Sequence, residues 1–356
     1  MGNTSQSSKK PKRIDSLTGL KAIAMLALFW WHSPIPNPPT DLGARACEIL
    51  FVASGFLVGY NYFYKGMPCS WTTSIDYCAK KLAQFWPLHI ITLIPMIYLN
   101  YLSEGLLDAR KIRLIFVDAF LLQAWNSDPD VYFSYSGIAW FLSALIFCYF
   151  MSPLLLRYAK KVKQSVLMFI IIALIRIAFE YSEKVVPVWG ISIHTFPIIR
   201  CMEFFLGMLM VPLFIRTADK IRSTGTVFGL FSIIEIAMTA MTVFLMVKMN
   251  GVWMRGIFVL IYCLVVFVIS LDQGIASKIL SSYPFVLFGS IQFEFYLFHG
   301  DVLAYSYYIT GNYSDSIDPI FLDWKMRSAV LFALIIILSV VYKKFFSRRL
   351  SSLLMR

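Results

Sequence analysis

Long apolar runs separated by short polar segments dominate the chain from residue 17 to residue 345. Runs of spanning length fall near 17–36, 44–64, 82–102, 136–157, 164–181, 196–216, 226–248, 252–271, 284–309 and 327–345. Each approaches the ~20 residues that a helix needs to cross a hydrocarbon core about 30 Å thick. Lipid offers no partner to backbone N–H and C=O groups, and a helix pairs them internally. The pattern therefore predicts an all-α fold, a polytopic transmembrane helix bundle of about ten spans. An eleventh run, Leu114–Ala124, covers only roughly half the core at ~1.5 Å rise per residue and is expected not to span. The polar segments divide the chain into a disordered tail at 1–12, an embedded domain at 13–346 and a short basic tail at 347–356.

Composition fixes the solvent. Hydrophobic residues make up 59% of the 356 and charged residues 15%, with a mean hydropathy of +0.70. A soluble domain cannot hide that much apolar surface, so lipid is the expected partner. The net charge of +12 raises the question of nucleic acid, but the basic residues lie in short segments between apolar runs, where they set topology, and no nucleic-acid partner is expected. Ten spans put both termini on one side, whose segments carry 20 Lys and Arg against 9 on the other. Both termini are therefore expected to be cytoplasmic, in a multi-pass protein of the plasma membrane. Arg110, Lys111 and Arg113 fall on the outer side, at an expected interfacial elbow before the short segment. The first run follows Lys9, Lys10, Lys12 and Arg13 but has no small-residue cleavage site after it, so it stays as a span. Six scattered cysteines have no metal-ligand or disulfide spacing, and no metal constellation is visible.

Titratable side chains inside a span are expensive and by default face a cavity, a partner or a pathway. Lys21 and His32 lie eleven residues apart on the first run, which returns to within roughly 20° of the starting face about 16 Å along the axis. They either line one polar cleft, or Lys21 snorkels to headgroups while His32 sits at the outer interface with Trp30 and Trp31. Glu48 precedes Ser54-Gly55 on the second run, with Lys21 and His32 as candidate partners, and the Ser-Gly pair also suits a plain close helix contact. Lys80 and Lys81 introduce the run at 82–102, which contains Gln84, Trp86, Pro87 and His89, a basic and amphipathic entrance at the cytoplasmic face, and the paired lysines also fit topology alone. Arg200 and Glu203, three apart, favour an internal structural pair. Glu294 and His299, with Gly289 and Gly300 for close backbone approach, offer a second cavity wall.

Taken in order, these segments resemble the acyltransferase-3 family of integral membrane acyltransferases. The similarity spans most of the chain. It is carried by Lys21-x10-His32 behind Arg13-Ile14-Asp15-Ser16-Leu17-Thr18-Gly19-Leu20, by Leu50-Phe51-Val52-Ala53-Ser54-Gly55, and by Leu122-Gln123-Ala124-Trp125. Trp140-Phe141-Leu142-Ser143-Ala144-Leu145, Glu203-Phe204-Phe205-Leu206-Gly207 and Tyr296-Leu297-Phe298-His299 complete the set. The family's arginine pair before Ile-Tyr-Pro appears only as Lys81-Leu82-Ala83-Gln84-Phe85-Trp86-Pro87, where Lys81 keeps a charge, Gln84 does not, and Lys80 can substitute. The chain ends soon after its last run, where some relatives carry a soluble hydrolase-like domain.

The resemblance implies acyl transfer from acyl-CoA, acetyl-CoA above all, to a glycan acceptor at the cell surface, with no permanently bound cofactor. It implies His32 as base or acyl carrier and Glu48 orienting it. Arg13, Lys21, Lys80, Lys81 and Gln84 would hold the donor, and Ser54, Gly55, Trp140, Arg200, Glu203 and His299 would support the substrates. The competing reading is an exporter or flippase of a lipid-linked glycan, which would move its cargo without an acyl donor.

Overall fold

The computed structural model describes residues 12–349 apart from 40, 64, 186–191, 225, 226, 249–254 and 348. The tails expected at 1–12 and 347–356 therefore lie outside the described residues except for Lys12, Ser347 and Arg349. Helices run in the order α1 Asp15–His32, α2 Leu42–Phe63, α3 Trp71–Glu104, α4 Ala109–Ala119, α5 Pro129–Tyr132, α6 Trp140–Leu156, α7 Val162–Val185 and α8 Pro197–Leu209. The second half contributes α9 Val211–Thr224, α10 Phe228–Lys248, α11 Arg255–Ser270, α12 Ile275–Leu280, α13 Tyr283–Ser290, α14 Gln292–Asn312, α15 Pro319–Leu322 and α16 Trp324–Phe345. No strand occurs among the described residues.

Seven helices among the described residues are long and apolar enough to cross a membrane, and Gly256–Ser270 is a shorter apolar helix. Their burial separates centre from periphery. The apolar windows of α2 and of Pro197–Ile221 are 78% buried, whereas those of α7 and α10 are each 17% and that of α16 is 22% buried. Leu174, Ile233 and Ile337 accordingly stand exposed on the outside, an apolar surface that suits lipid and not water.

The boundaries differ from those the hydropathy pattern predicts, each for a local reason. The first span ends at His32, not near 36, because Pro34 pushes Ser33 out of the helical region, to φ −81° and ψ 167°. The run at 82–102 is the C-terminal part of a 34-residue helix that begins where Ser70 caps the Thr73 N–H, so Lys80 and Lys81 sit inside α3 with Gln84 and do not precede the helix. The run at 196–216 changes helix at Met210, and that at 284–309 breaks at Ile291 into α13 and α14. The short non-spanning segment is α4, which starts at its Asp108 cap. Arg110, Lys111 and Arg113 therefore lie on that helix and not in an elbow before it. Lys111 pairs with Glu104 at 3.3 Å and Arg110 with Asp130 at 3.1 Å, while Trp86 and His89 of α3 donate to the carbonyls of Ala119 and Asp118 at 2.8 Å.

The central crossing is between α2 and α8. A Cβ on Gly207 would collide with the Val52 carbonyl, and one on Gly55 with the Phe204 carbonyl, so each helix presses backbone against the other's glycine. Membrane helices lack a hydrophobic drive to associate and rely on such close packing. Close packing also brings six buried charges together. Arg200 Nη1 donates to both Glu203 oxygens at 2.8 Å, Arg176 donates to Glu203 Oε1 at 3.2 Å and to Glu180 at 2.5 Å, and Arg45 reaches Glu48 at 3.4 Å. The Arg45 guanidinium also lies 4.1 Å from the centre of the Phe258 ring of α11. Three guanidinium groups match three carboxylates, which is what makes burial of all six tolerable.

Gly207→Ala is expected to lower stability by about 1–3 kcal/mol, because the obstructing atom is backbone and cannot rotate away. Gly229→Ala, whose added Cβ meets open space, is the control that should leave the thermal melting midpoint in detergent unchanged. Glu203→Gln takes from Arg200 its carboxylate and from Arg176 one of two, leaving three guanidinium groups against two carboxylates, and is expected to cost about 3–5 kcal/mol. A Glu203→Gln melting curve matching wild type would show that the charge group does not hold the crossing.

Candidate active site

His32 is the last residue of α1, and the helix end gives it its setting. Its Nδ1 lies 3.0 Å from the Leu28 carbonyl one turn back, and its own carbonyl accepts a hydrogen bond from the Tyr307 hydroxyl at 2.9 Å. From α14, His299 brings Nε2 to 3.4 Å of the same Nδ1, while its own Nδ1 is 2.5 Å from the Tyr296 carbonyl. His299 is fully buried, with Phe295 stacked nearly parallel to its ring at 6.2 Å.

His32 lines a cavity of about 290 Å³ together with Trp31, Asp41, Cys47, Phe133, Trp140, His194 and Tyr296. Tyr296 is held by its hydroxyl donating to the Ile138 carbonyl. His194 packs on Trp140, ring centres 4.5 Å apart, and receives Arg200 twice, Nε on its carbonyl at 2.7 Å and Nη2 beside its Nδ1 at 3.2 Å. Arg200 thus ties the buried charges to the cavity wall. Arginine keeps its proton, so the His194 nitrogen facing it must be the acceptor.

A second, larger cleft of about 680 Å³ shares Phe133 with this cavity and is lined by Asn100, Glu104, Arg110, Lys111, Asp130 and Tyr135 among others. Lys111–Glu104 and Arg110–Asp130 pair within it, and Asp108, which caps the Lys111 N–H, leaves one carboxylate in excess among many hydrogen-bonding groups. The loop carrying Phe133 is anchored beside α4, where the Ser134 hydroxyl donates to Asp118 Oδ2 at 3.2 Å. Burial pushes the Asp118 carboxyl up to about 7, against the opposing pull of the Ser136 N–H and the Ser134 hydroxyl.

The residues singled out in the sequence divide into three groups. His32, His299 and Trp140 meet at or beside the cavity. Lys21 lies toward the other end of α1, where the charges of Arg13, Lys81 and Lys343 act on it. There Lys81 stands over the Tyr149 ring at 5.0 Å, Arg13 pairs with Asp15 at 2.8 Å, Lys343 donates to the Ser290 carbonyl, and Lys80 and Gln84 are exposed. Glu48, Arg200 and Glu203 belong to the charge group between the helices. The partner expected for Glu48, Lys21 or His32, is corrected to Arg45, which stands one turn earlier on the same helix. Gly55 is occupied by the crossing with Phe204, and neither it nor Ser54 lines the cavity. Gly289 packs on the Thr18 carbonyl and Gly300 on the Ile138 side chain, the close approaches anticipated for them. No group of three metal-binding side chains occurs among the described residues.

Sequence reasoning missed His194, Arg45, Arg176 and Glu180, and met Tyr296 only within the Tyr296-Leu297-Phe298-His299 motif. Arg176 and Glu180 carried a usable signal, opposite charges four apart within the run at 164–181. His194 carried none, since it lies in a turn and meets Arg200 and Trp140 only through the tertiary fold.

The chain is 27% identical over 232 residues to an acyltransferase, MdmB, of Streptomyces mycarofaciens, a match covering 58% of this chain and 58% of that relative. The match thus spans somewhat over half the relative's length, and no solved structure matches the chain. The acyltransferase-3 family, described as an acyltransferase domain, matches residues 14–343, which takes in every helix from α1 to α16 except the last two residues of α16. The chain, a helical membrane protein in which His32 at the wall of an aromatic cavity pairs with His299, belongs to the acyltransferase-3 family.

Proposed function

We propose that this enzyme moves an acyl group, acetyl above all, from cytoplasmic acyl-CoA to a hydroxyl of a cell-surface or exported glycan, an O-acetylation of the cell envelope carried out in the plasma membrane. The observation that carries the reading is the placement of His32 on the wall of a cavity rich in aromatic rings that shares Phe133 with a polar cleft. Aromatic faces suit the C–H surfaces of a sugar ring, and paired charges offer hydrogen bonds to hydroxyls without selecting for an ion. About 16 Å away along α1, Lys21 lies with Arg13, Lys81 and Lys343. That group suits the phosphates of CoA, whose long flexible arm would carry the thioester toward His32. Ten spans with both termini cytoplasmic would put the basic group inside and His32 toward the outside, which fits a cytoplasmic donor and an outer acceptor.

In this reading His32 is the catalytic base. It takes the proton of the acceptor hydroxyl as the oxygen attacks the thioester carbonyl, the tetrahedral oxyanion collapses, and the C–S bond breaks. The proton then passes from the imidazolium to the departing CoA thiolate, so the histidine ends as it began. Glu48, held by Arg45, contributes to the fold around the site and not to His32 directly.

Purified protein in detergent, given radiolabelled acetyl-CoA without acceptor, is expected to release CoA slowly. His32→Ala should reduce the release by about 10²–10⁴-fold. Label retained on wild type and lost in the variant would change the route to an acyl-histidine intermediate while keeping the activity. Failure of wild type to bind or cleave acetyl-CoA or other short acyl-CoAs would overturn the proposal in favour of a glycan exporter or flippase.

A further inference from the structure

We propose that His299 is a positioning residue that holds His32 in the one neutral tautomer able to act as base, so that the reaction runs on a histidine–histidine pair in place of a histidine–carboxylate pair. The inference rests on the reading of His32 as base and extends it to a residue for which the comparisons give no role.

The proton positions follow from the chemistry of the neighbours. A carbonyl oxygen only accepts, so the Tyr296 carbonyl at 2.5 Å requires a proton on His299 Nδ1. In a neutral ring His299 Nε2 is then bare and is itself an acceptor. The same rule applies to His32, whose Nδ1 lies 3.0 Å from the Leu28 carbonyl. Its second neighbour, His299 Nε2 at 3.4 Å, is also an acceptor. Both contacts require one proton on His32 Nδ1, shared between them, and leave His32 Nε2 with the lone pair. His32 lines the cavity, so that lone pair is the group a substrate hydroxyl can meet.

A single carbonyl at the end of a helix leaves the imidazole free to swing, and the second acceptor adds the direction. His299 is itself fixed, being fully buried with Phe295 on its face and the Tyr296 carbonyl on its edge. When His32 takes a proton on Nε2, the new positive charge faces two acceptors that are already in place. A neutral imidazole supplies this without the cost of burying a second ionised group beside the cavity, which a carboxylate at position 299 would carry. Buried partners that fix the tautomer of an active histidine commonly affect activity far more than stability.

The test uses the resting protein and needs no ligand. The chain has four histidines, so ¹⁵N-histidine labelling gives a spectrum with four rings to assign, and His32→Ala identifies the resonances of His32. Wild type should show His32 with Nδ1 protonated and Nε2 bare. His299→Phe, which keeps a ring of similar size and removes the acceptor, should give a mixture of both tautomers and cut CoA release from acetyl-CoA by about 10- to 10³-fold with an unchanged melting midpoint. His299→Gln, whose side-chain carbonyl can accept from His32, should restore the single tautomer and bring release back to within about tenfold of wild type.

A wild-type spectrum with the proton on His32 Nε2 would overturn the proposal. So would a His32 spectrum in His299→Phe identical to wild type, since the Leu28 carbonyl would then suffice alone. Should wild type release no CoA at all, the proposed function fails while the spectra still decide the pairing, so the two failures are distinguishable.

Discussion

Everything in this molecule is arranged around the contact of α2 with α8, where glycine on each helix meets backbone carbonyl on the other. Lipid cannot drive the two together as water would, so the association depends on how close the backbones come. The separation that Gly55 and Gly207 permit is also the one that lets Arg200 and Glu203 of α8 stand beside Arg45 and Glu48 of α2, with Arg176 and Glu180 of α7 closing the group. Six ionised side chains in an apolar interior are tolerable only as a balanced set. A change at the crossing therefore acts twice, once on packing and once on electrostatics.

The site inherits its rigidity from that group. Arg200 spends one face on Glu203 and the other on His194, which rests on Trp140, and both aromatic groups form cavity wall. On the opposite side α14 delivers His299 and Tyr307 to the end of α1, so His32 is held through its ring and through its carbonyl. Lys21 and His32 share one helix, α1, which fixes the distance between the basic group and the base.

Much of this was legible in the sequence because lipid imposes simple rules. The apolar runs located the long helices, and the cost of charge in a span singled out His32, Glu48, Arg200, Glu203 and His299. The opposite-charge spacing of Arg200 and Glu203 anticipated their pairing. What failed did so where geometry within an apolar run decides. Pro212 stands two residues past Met210 and Gly289 two before Ile291, but the apolar run continues through both, and the helix ends there were passed over. Glu48 was matched with Lys21 and His32 although Arg45 stood three positions before it on the same helix. The contact of His32 with His299 spans 267 positions and His194 reaches its neighbours from a turn, distances over which periodicity carries no information.

The central claim is that the thioester of the donor meets His32 while the nucleotide stays with the basic residues at the other end of α1. The direct measurement is the structure of the protein with an unreactive thioether analogue of acetyl-CoA, determined by electron cryomicroscopy. The account predicts phosphate density beside Lys21, Lys81 and Lys343, and the acyl end within about 3–3.5 Å of His32 Nε2, the distance of a near-attack geometry. An analogue seated with its acyl end away from the His32 cavity would contradict it.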